Sequence, residues 1–262
     1  MENILWSALI AFVVGCLVVY KKSLTLPAGS LAAFMIMLLS FFVGLKNMTF
    51  LLVAFFAISA ADHAVKNKKA PLAEKDKEEE KHGRRFIQVA ANGLVACLMT
   101  LIYALTKKEV FIIAYIAVLA ESLADSLASD IGIFSKKAPI DICRLKRTEP
   151  GISGGISLLG SVSALAGSVF MAVYMALIRG FVLKEFLIII AAPMIGMFFD
   201  SVLGSLFQIR YRCSVCGKLT EKKTHCKKLC ERVKGPRFLD NNAVNFMGNL
   251  MAAAAAYLMY SM

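Results

Sequence analysis

The sequence lacks the short motifs by which several large enzyme classes are recognised. It contains no Walker A sequence, no protein-kinase catalytic loop, no Rossmann glycine fingerprint and no Ser/His/Asp catalytic set. These absences exclude P-loop, protein-kinase, dinucleotide-dependent and serine-hydrolase mechanisms. The first apolar segment also lacks a basic n-region and an Ala-x-Ala cleavage site, which predicts a retained helix and not a removed signal peptide.

Charged residues are scarce and hydrophobic residues are abundant. Of 262 residues, 18% are charged and 58% are hydrophobic, and the mean hydropathy is +0.68. A soluble domain of this length would not need so much apolar surface, so the composition predicts an integral membrane protein. Apolar windows of about 17–24 residues, the length that crosses a hydrocarbon core, lie at 4–20, 28–45, 49–65, 86–106, 109–129, 155–178, 185–207 and 241–260. We therefore expect a single membrane domain over 1–262 with an all-α fold, a polytopic transmembrane helix bundle of about eight spans, although one of the short second and third windows could be re-entrant.

The distribution of Lys and Arg predicts the orientation of the bundle. If the N-terminus is outside, 25 of the 30 basic residues lie in inner loops. Because cytoplasmic loops are enriched in Lys and Arg, we expect a multi-pass protein of the cell membrane with the N-terminus outside. Its large cytoplasmic loops are a charged loop at 66–85, a basic and glycine-rich loop at 130–154 and a cysteine-rich loop at 209–239. The net charge of +12 then lies mainly on one membrane face, where it attracts anionic lipid head groups or nucleotides without implying nucleic-acid binding.

An acidic stripe closes the fifth apolar window. On a helix, residues four apart share a face, so Glu121 and Asp125 stack on one another. The stripe also contains Ser122, Ser126, Ser129 and Asp130. Carboxylates at membrane depth are costly and usually face a cavity or a partner. The stripe therefore predicts a polar site, in which Asp125, Asp130 and Glu121 bind magnesium or orient an acceptor.

A basic loop and a glycine-rich turn follow the stripe. The turn runs from Pro150 to Gly155 and directly precedes an apolar helix, whose first backbone N–H groups are free to hold an anion. A magnesium-bound phosphate needs three groups close together: carboxylates for the metal, and basic side chains and glycine backbone N–H groups for the phosphate. We expect the phosphate and the nucleotide to contact the two serines of the acidic stripe, Ser126 and Ser129, together with Gly151, Ser153, Gly154, Gly155, Ser157, Arg144 and Arg147.

Polar residues also enter the last two apolar windows. Asp200 lies about two turns from the cytoplasmic end of its helix, where a lone aspartate usually marks a site. Asp240 could simply cap the last helix, but capping does not explain why Asn241, Asn242 and Asn245 follow it. We expect Asp200, Asp240, Asn241 and Asn245 to complete the pocket.

The cysteine-rich loop has the ligand spacing of a small zinc knuckle. Cys213-x-x-Cys216 is followed by His225-Cys226 and then by Cys230. We expect a structural Zn²⁺ held by Cys213, Cys216 and Cys226, with either His225 or Cys230 as the fourth ligand. Four protein ligands would leave no open position for catalysis. The alternative is a set of reduced thiols in a basic cytoplasmic loop.

These residues indicate a membrane-embedded enzyme that handles a nucleotide and a lipid phosphate. Carboxylates would hold magnesium, basic residues would balance phosphate charge, and the bundle would position the lipid, since phosphoryl transfer depends on positioning and charge neutralisation. An ion-coupled transporter or lipid flippase also uses buried acids. However, no inverted repeat is found, and the polar residues cluster at one face and not at the midplane. A scaffold that recruits a partner through the cysteine loop would leave the buried aspartates unexplained.

Five motifs in order across most of the chain resemble one integral membrane family. They are Ala124-Asp125-Ser126-x-Ala128-Ser129-Asp130-x-Gly132, Pro150-Gly151-x-Ser153-Gly154-Gly155-Ile156-Ser157, Asp200-Ser201-x-Leu203-Gly204, the Cys-x-x-Cys…His-Cys loop and Leu239-Asp240-Asn241-x-Ala243-Val244-Asn245. They look like the family called domain of unknown function 92, which includes transmembrane protein 19 and the plant phytyl-phosphate kinase. Ile152 stands where the family often has Thr, so a hydroxyl contact to phosphate would be missing there.

The resemblance supplies the substrate class. It implies a relative of the CTP-using polyprenol kinases and phosphatidate cytidylyltransferases, which phosphorylate or activate an isoprenoid or lipid phosphate. We therefore expect a kinase that uses CTP, or another nucleoside triphosphate, with Mg²⁺ to convert a prenyl monophosphate into the diphosphate. A cytidylyltransferase that makes a CDP-lipid is the alternative enzyme.

Overall fold

The computed structural model of the protein describes residues 2–69 and 83–262, so the middle of the predicted charged loop lies outside the described residues. The described part of the chain is mainly helical. The helices are α1 (Glu2–Tyr20), α2 (Leu26–Lys69), α3 (Phe86–Thr106), α4 (Val110–Gly132), α5 (Leu158–Arg179), α6 (Leu183–Leu206) and α7 (Asn241–Ser261). Their positions follow the apolar windows, and α6 continues through Pro193 without a break in its assigned helix.

Helix α2 is a hairpin of two helical arms that meet at Gly44. This residue has φ 77° and ψ 163°, a conformation that glycine adopts without steric cost. Met35 in the first arm and Leu51 in the second line the same small cavity. In a straight helix these two residues would be about 24 Å apart. The chain therefore turns back at Gly44, which explains why two short apolar windows lie so close together in the sequence.

Helix α4 lies at the centre of the bundle. Every residue from Ile112 to Ala124 is buried, and the helix packs against α2, α3, α5, α6 and α7. A helix that is apolar all round is typically a buried one. Because α4 is central, the acidic stripe at its C-terminal end is surrounded by four other helices.

Short antiparallel strands organise two of the predicted loops. In the glycine-rich loop, β1 (Ile140–Asp141) pairs with β2 (Gly155–Ile156). In the cysteine-rich loop, β3 (Arg210–Arg212) lies between β4 (Leu219–Thr220) and β7 (Glu231–Lys234). There, β5 (Thr224–His225) also pairs with β6 (Lys228–Leu229). These strands fix the loops against the ends of the helices.

Five helices within the described residues are long and apolar enough to cross a membrane, judged by length and composition. They are Leu26–Val65 of α2, Phe86–Thr106, Val110–Gly132, Leu158–Arg179 and Leu183–Leu206. A shorter apolar helix covers Leu5–Tyr20. The predicted class, an all-α membrane protein with several spans, is confirmed.

Candidate functional site

A polar cavity of about 380 Å³ opens at the end of the bundle where α4 terminates. It is surrounded by the first turns of α3, α5 and α7, the last turns of α4 and α6, and the turn from Pro150 to Gly155. Hydropathy patterning cannot show that these segments meet, because each lies in a different part of the sequence. The cavity brings together most of the residues that the sequence marks as polar within apolar windows.

Three aspartates from two helices line the cavity. Asp125 and Asp130 come from α4, and Asp200 comes from α6. Glu121 lies one turn deeper on α4 and is only 1% exposed. Among the described residues, neither Glu121 Oε1 nor Asp200 Oδ2 has a hydrogen-bond partner. Buried polar atoms without a partner are expensive, and in a native protein they call for a ligand or a bound ion.

Gly248 of α7 shows how close these acids lie to one another. A Cβ atom on Gly248 would lie 2.8 Å from Glu121 Oε1 and 3.2 Å from Asp200 Cβ. The absence of a side chain there lets both acids approach the same point between α4, α6 and α7. Carboxylate oxygens are the ligands preferred by Mg²⁺, so the residues present fit a hard divalent cation.

The glycine-rich turn packs closely against the end of α6. Gly154 is buried with φ +86°, and a Cβ there would collide with the backbone of Ser205, whose N atom would lie 2.5 Å away. Gly204 makes the reciprocal contact, since its Cβ would lie 2.9 Å from Ser153 Cβ. These glycines allow the turn to reach the wall of the cavity, which is lined by Gly151, Ser153, Gly154 and Gly155.

Asp141 holds the loop that carries this turn. It accepts hydrogen bonds from the backbone N–H of Cys143 at 3.1 Å and of Arg144 at 2.9 Å, and from Ser205 Oγ at 2.6 Å. Burial alone would raise the pKa of Asp141, but these hydrogen bonds outweigh it and lower the pKa. Asp141 therefore ties the loop to α6 as a carboxylate.

Glu221 of the cysteine-rich loop reaches into the same cavity. Its Oε1 accepts a hydrogen bond from the backbone N–H of Ser153 at 2.9 Å, and its Oε2 accepts one from Gln208 Nε2 at 2.8 Å. The buried Arg210 donates from Nη2 to the carbonyl oxygens of Ser153 at 2.6 Å and Gly204 at 3.1 Å. Burial raises the pKa of Glu221 against the opposing effect of its hydrogen bonds with Ser153.

The N-terminus of α5 adds backbone donors to the wall of the cavity. Ser157 caps this helix by accepting a hydrogen bond from the Gly160 N–H at 3.1 Å. Gly155, Ser157, Gly160 and Ser161 all line the cavity. The N-terminus of a helix carries a partial positive charge, so this wall fits an anion such as phosphate.

Several predicted pocket residues lie elsewhere. Asp240 is an N-cap, because its Oδ1 accepts a hydrogen bond from the Ala243 N–H at 3.1 Å, whereas Asn241, Asn242 and Asn245 line the cavity. Arg144 and Arg147 are exposed on the β1–β2 loop and do not line it. Both Ser126 and Ser129 line it.

Among the described residues, the basic residue that lines the cavity is Arg84, which the sequence places in the charged loop. The segment before α3 is fixed by backbone hydrogen bonds, from the Arg84 N–H to the Ser23 carbonyl at 2.9 Å and from the Thr25 N–H to the Arg84 carbonyl at 3.1 Å. Gln88 and Asn92 follow one and two turns later and also line the cavity. The spacing of Gln88 and Asn92, four residues apart, indicates that these two share a helix face, but it carries no signal for Arg84, which lies before the helix. Glu221 carried no comparable signal.

The cysteine-rich loop forms a cluster of four candidate metal ligands. The ligand atoms of Cys213, Cys216, His225 and Cys226 all lie within 4.8 Å of one another. Cys226 lies at the β5–β6 turn, where it and Lys227 have φ values of 51° and 59°. His225, and not Cys230, is therefore the fourth member of this cluster. Three sulfurs and one imidazole are a ligand set that fits structural zinc.

The thiols of this cluster differ in acidity. Hydrogen bonds with the Cys216 backbone and, less strongly, with His225 lower the pKa of Cys213 to about 6. Desolvation and the neighbouring Cys216 raise the pKa of Cys226 to about 11. The thiolate is the metal-binding form of cysteine, so Cys213 is prepared for a metal near neutral pH.

Comparison with known proteins places the chain in a family. Protein PGR of Arabidopsis thaliana is 28% identical over 259 residues, which cover 89% of this chain and 88% of that protein. The uncharacterized membrane protein MJ0933 of Methanocaldococcus jannaschii is 28% identical over 171 residues, which cover 65% and 69% of the two chains. No solved structure matches. Residues 9–253 match the family described as integral membrane protein DUF92, and the chain belongs to this family, as its motifs predicted.

Proposed function

We propose that this membrane protein is a CTP-dependent kinase that phosphorylates a prenyl monophosphate to the diphosphate. The observation that carries the proposal is the meeting of Asp125, Asp130 and Asp200 with the glycine-rich turn in one cavity. Acids for a divalent cation and backbone donors for phosphate are the parts that phosphoryl transfer requires. The motif resemblance supplies the prenyl substrate and the nucleotide.

Each wall of the cavity has a distinct role in this proposal. Asp125, Asp130 and Asp200 would hold Mg²⁺, with Glu121 supporting them from the next turn of α4. When bound, Mg²⁺ would neutralise charge on the transferred phosphoryl group. The turn from Gly151 to Gly155 and the N-terminus of α5 would bind phosphate oxygens through backbone N–H groups. Ser126, Ser129, Asn241 and Asn245 would orient the nucleotide by hydrogen bonding.

Arg84 takes the place that the sequence assigned to Arg144 and Arg147. Arg84 lines the cavity, and its guanidinium group would bind a phosphate through two parallel hydrogen bonds. The two loop arginines are exposed, and they would contribute through long-range attraction of an anionic substrate.

The proposed topology has eight crossings with the N-terminus outside. The crossings would be α1, the two arms of α2, and α3 to α7. In support, residues predicted outside meet at one end of the bundle, where Arg179 pairs with Glu109 at 2.5 Å and donates to Asn47 Oδ1 at 2.8 Å. With 25 of the 30 basic residues in the opposite loops, the polar cavity would face the cytoplasm, where CTP is available.

The cysteine cluster would bind Zn²⁺ in a structural role. Four protein ligands close the coordination sphere, so zinc would not take part in catalysis. It would hold the loop from which Glu221 extends into the cavity.

Transfer of label from CTP tests the proposed reaction. The purified protein is incubated with Mg²⁺, a prenyl monophosphate and CTP labelled at either the α or the γ phosphorus. The γ label is expected in the lipid product, with release of CDP. Entry of the α label into lipid would instead establish a cytidylyltransferase, and transfer of neither label to a prenyl phosphate or phosphatidate would overturn an enzymatic function.

A further inference from the structure

A second cavity of about 90 Å³ adjoins the polar cavity within the bundle. Its walls come from α1, both arms of α2, α3 and α4, and they include Val14, Val18, Ala32, Leu52, Phe55 and Val89. We refer to this second cavity as the apolar groove. Of the acidic stripe, only Ser122 lines it.

The groove and the polar cavity share one wall. Arg84, Gln88 and Asn92 line both spaces. Gln88 and Asn92 lie four residues apart on one face of α3, and Arg84 lies in the segment just before this helix. The two spaces therefore adjoin at these three residues, with a charged and hydrogen-bonding surface at the junction and apolar side chains on the groove side.

The rest of the groove offers almost nothing to a polar ligand. Apart from the three shared residues, the single polar residue that lines the groove within 2–69 and 83–262 is Ser122. Its hydroxyl already donates to Asn249 Oδ1 at 3.1 Å. On the second arm of α2, the wall runs from Leu51 to Ile58, a length of about 10 Å along the helix. The groove therefore suits an extended aliphatic chain and not a compact polar group.

We propose that the apolar groove binds the isoprenoid tail of the phosphate substrate, while the phosphate lies beyond Arg84 in the polar cavity. The identity of this occupant rests on the proposed kinase function. The placement of the tail rests on two features of the structure: the groove adjoins the polar cavity at Arg84, Gln88 and Asn92, and Arg84 at this junction is complementary to a phosphate. A molecule with a phosphate head and an apolar tail would occupy the polar cavity and the apolar groove at the same time.

Gly93 keeps the groove open at its α3 wall. A Cβ at this position would lie 2.7 Å from Met35 Sδ of the first α2 arm. The thioether is the flexible end of a side chain, so a larger residue at 93 would push it aside into neighbouring space. The width of the groove thus depends on small residues, of which Ala32 is another.

Photo-crosslinking locates the tail without requiring turnover. A prenyl monophosphate with a diazirine at the far end of its chain is irradiated with the intact protein in phosphatidylcholine vesicles, and adducts are mapped by mass spectrometry. Adducts are expected on groove residues such as Val18, Phe55 and Val89, and excess unlabelled prenyl monophosphate should suppress them about tenfold. Adducts outside the groove, or groove adducts that excess prenyl monophosphate does not suppress, would overturn the proposal, the latter by showing a bulk bilayer lipid there.

A matched pair of variants provides the second measurement. Ala32→Phe fills the groove, whereas Ala60→Phe adds the same ring at an exposed position on the second arm of α2. Ala32→Phe should lower groove adducts about tenfold and raise KM for a long-chain prenyl phosphate by a similar factor, but leave KM for a short-chain alkyl phosphate unchanged. If Ala32→Phe and Ala60→Phe changed the groove adducts and KM equally, the placement of the tail in the groove would be contradicted. If excess prenyl monophosphate suppresses the groove adducts but the protein transfers no γ-phosphoryl group from CTP, the kinase proposal is refuted and the tail site is retained.

Discussion

The carboxylate of Glu221 accepts a hydrogen bond from the backbone N–H of Ser153 at 2.9 Å, although 68 residues separate them. Ser153 belongs to the glycine-rich turn that we propose for phosphate, so an acidic side chain occupies one of the donors of an anion site. A carboxylate and a phosphate oxygen place similar demands on an N–H donor. The contact also links the cysteine cluster to the cavity through a single loop.

Replacing Glu221 with Gln is expected to lower KM for CTP severalfold. The amide oxygen still accepts from the Ser153 N–H, but the negative charge that repels an incoming phosphate is removed. Glu221→Ala, in contrast, removes the acceptor and should lower Tm because the Ser153 N–H and the buried Gln208 lose a partner. Steady-state kinetics and thermal melts check both variants. An unchanged KM in Glu221→Gln would show that this charge does not face the nucleotide.

Replacing Asp125 with Asn should reduce kcat by about 10²–10³-fold while the protein remains folded. Asn keeps the shape of the side chain but removes the charge that offsets Mg²⁺. Melting is measured with and without Mg²⁺ and CTP, and the variant should melt like the wild type yet lose the ligand-induced rise in Tm.

The control for Asp125 is Asp62→Asn, which alters a half-buried aspartate of α2 outside the cavity and should keep the ligand-induced shift. If Asp125 instead paired with Arg144, its loss would strand a positive charge and destabilise the protein by roughly 3–5 kcal/mol. The exposure of Arg144 argues against that role. An unstable Asp125→Asn variant that still responds to ligand would refute the metal site.

Zinc content tests the cysteine cluster. Elemental analysis of the purified protein should find about one Zn²⁺ per chain, and Cys216→Ser should abolish it because one of four ligands is lost. Cys230→Ser should keep zinc, since Cys230 lies outside the cluster, and Cys97→Ser in α3 serves as a second control. Loss of zinc from Cys230→Ser with retention in a His225→Ala variant would reverse the assignment of the fourth ligand.

Accessibility of single cysteines tests the orientation of the bundle. With the native cysteines kept, an impermeant thiol reagent applied to intact cells should label Lys107→Cys above the level of the unsubstituted protein and leave Lys136→Cys at that level. Both positions are exposed in the structure, so a difference in labelling reports the side of the membrane. The reverse pattern would place the polar cavity outside the cell and exclude CTP as its ligand.

Much of the architecture could be predicted from local sequence features. Helix positions follow from apolar windows, because a helix that crosses lipid must satisfy its backbone internally and expose apolar side chains. The pairing of Glu121 with Asp125 on one face follows from the helical period. The spacing of Cys213, Cys216, His225 and Cys226 likewise indicated a ligand cluster before its geometry was known.

Packing between distant segments decided the rest. Asp240 and Asn241 are neighbours in the sequence, yet Asp240 turns to cap α7 while Asn241 faces the cavity. Gly44 turns α2 back on itself, which lets both of its arms line the apolar groove. The sequence by itself determined where helices form and which faces are polar, since both depend on residues within a few turns. Only the tertiary structure decided that Arg84 and Glu221 reach the cavity, because their positions depend on how separate helices and loops pack together.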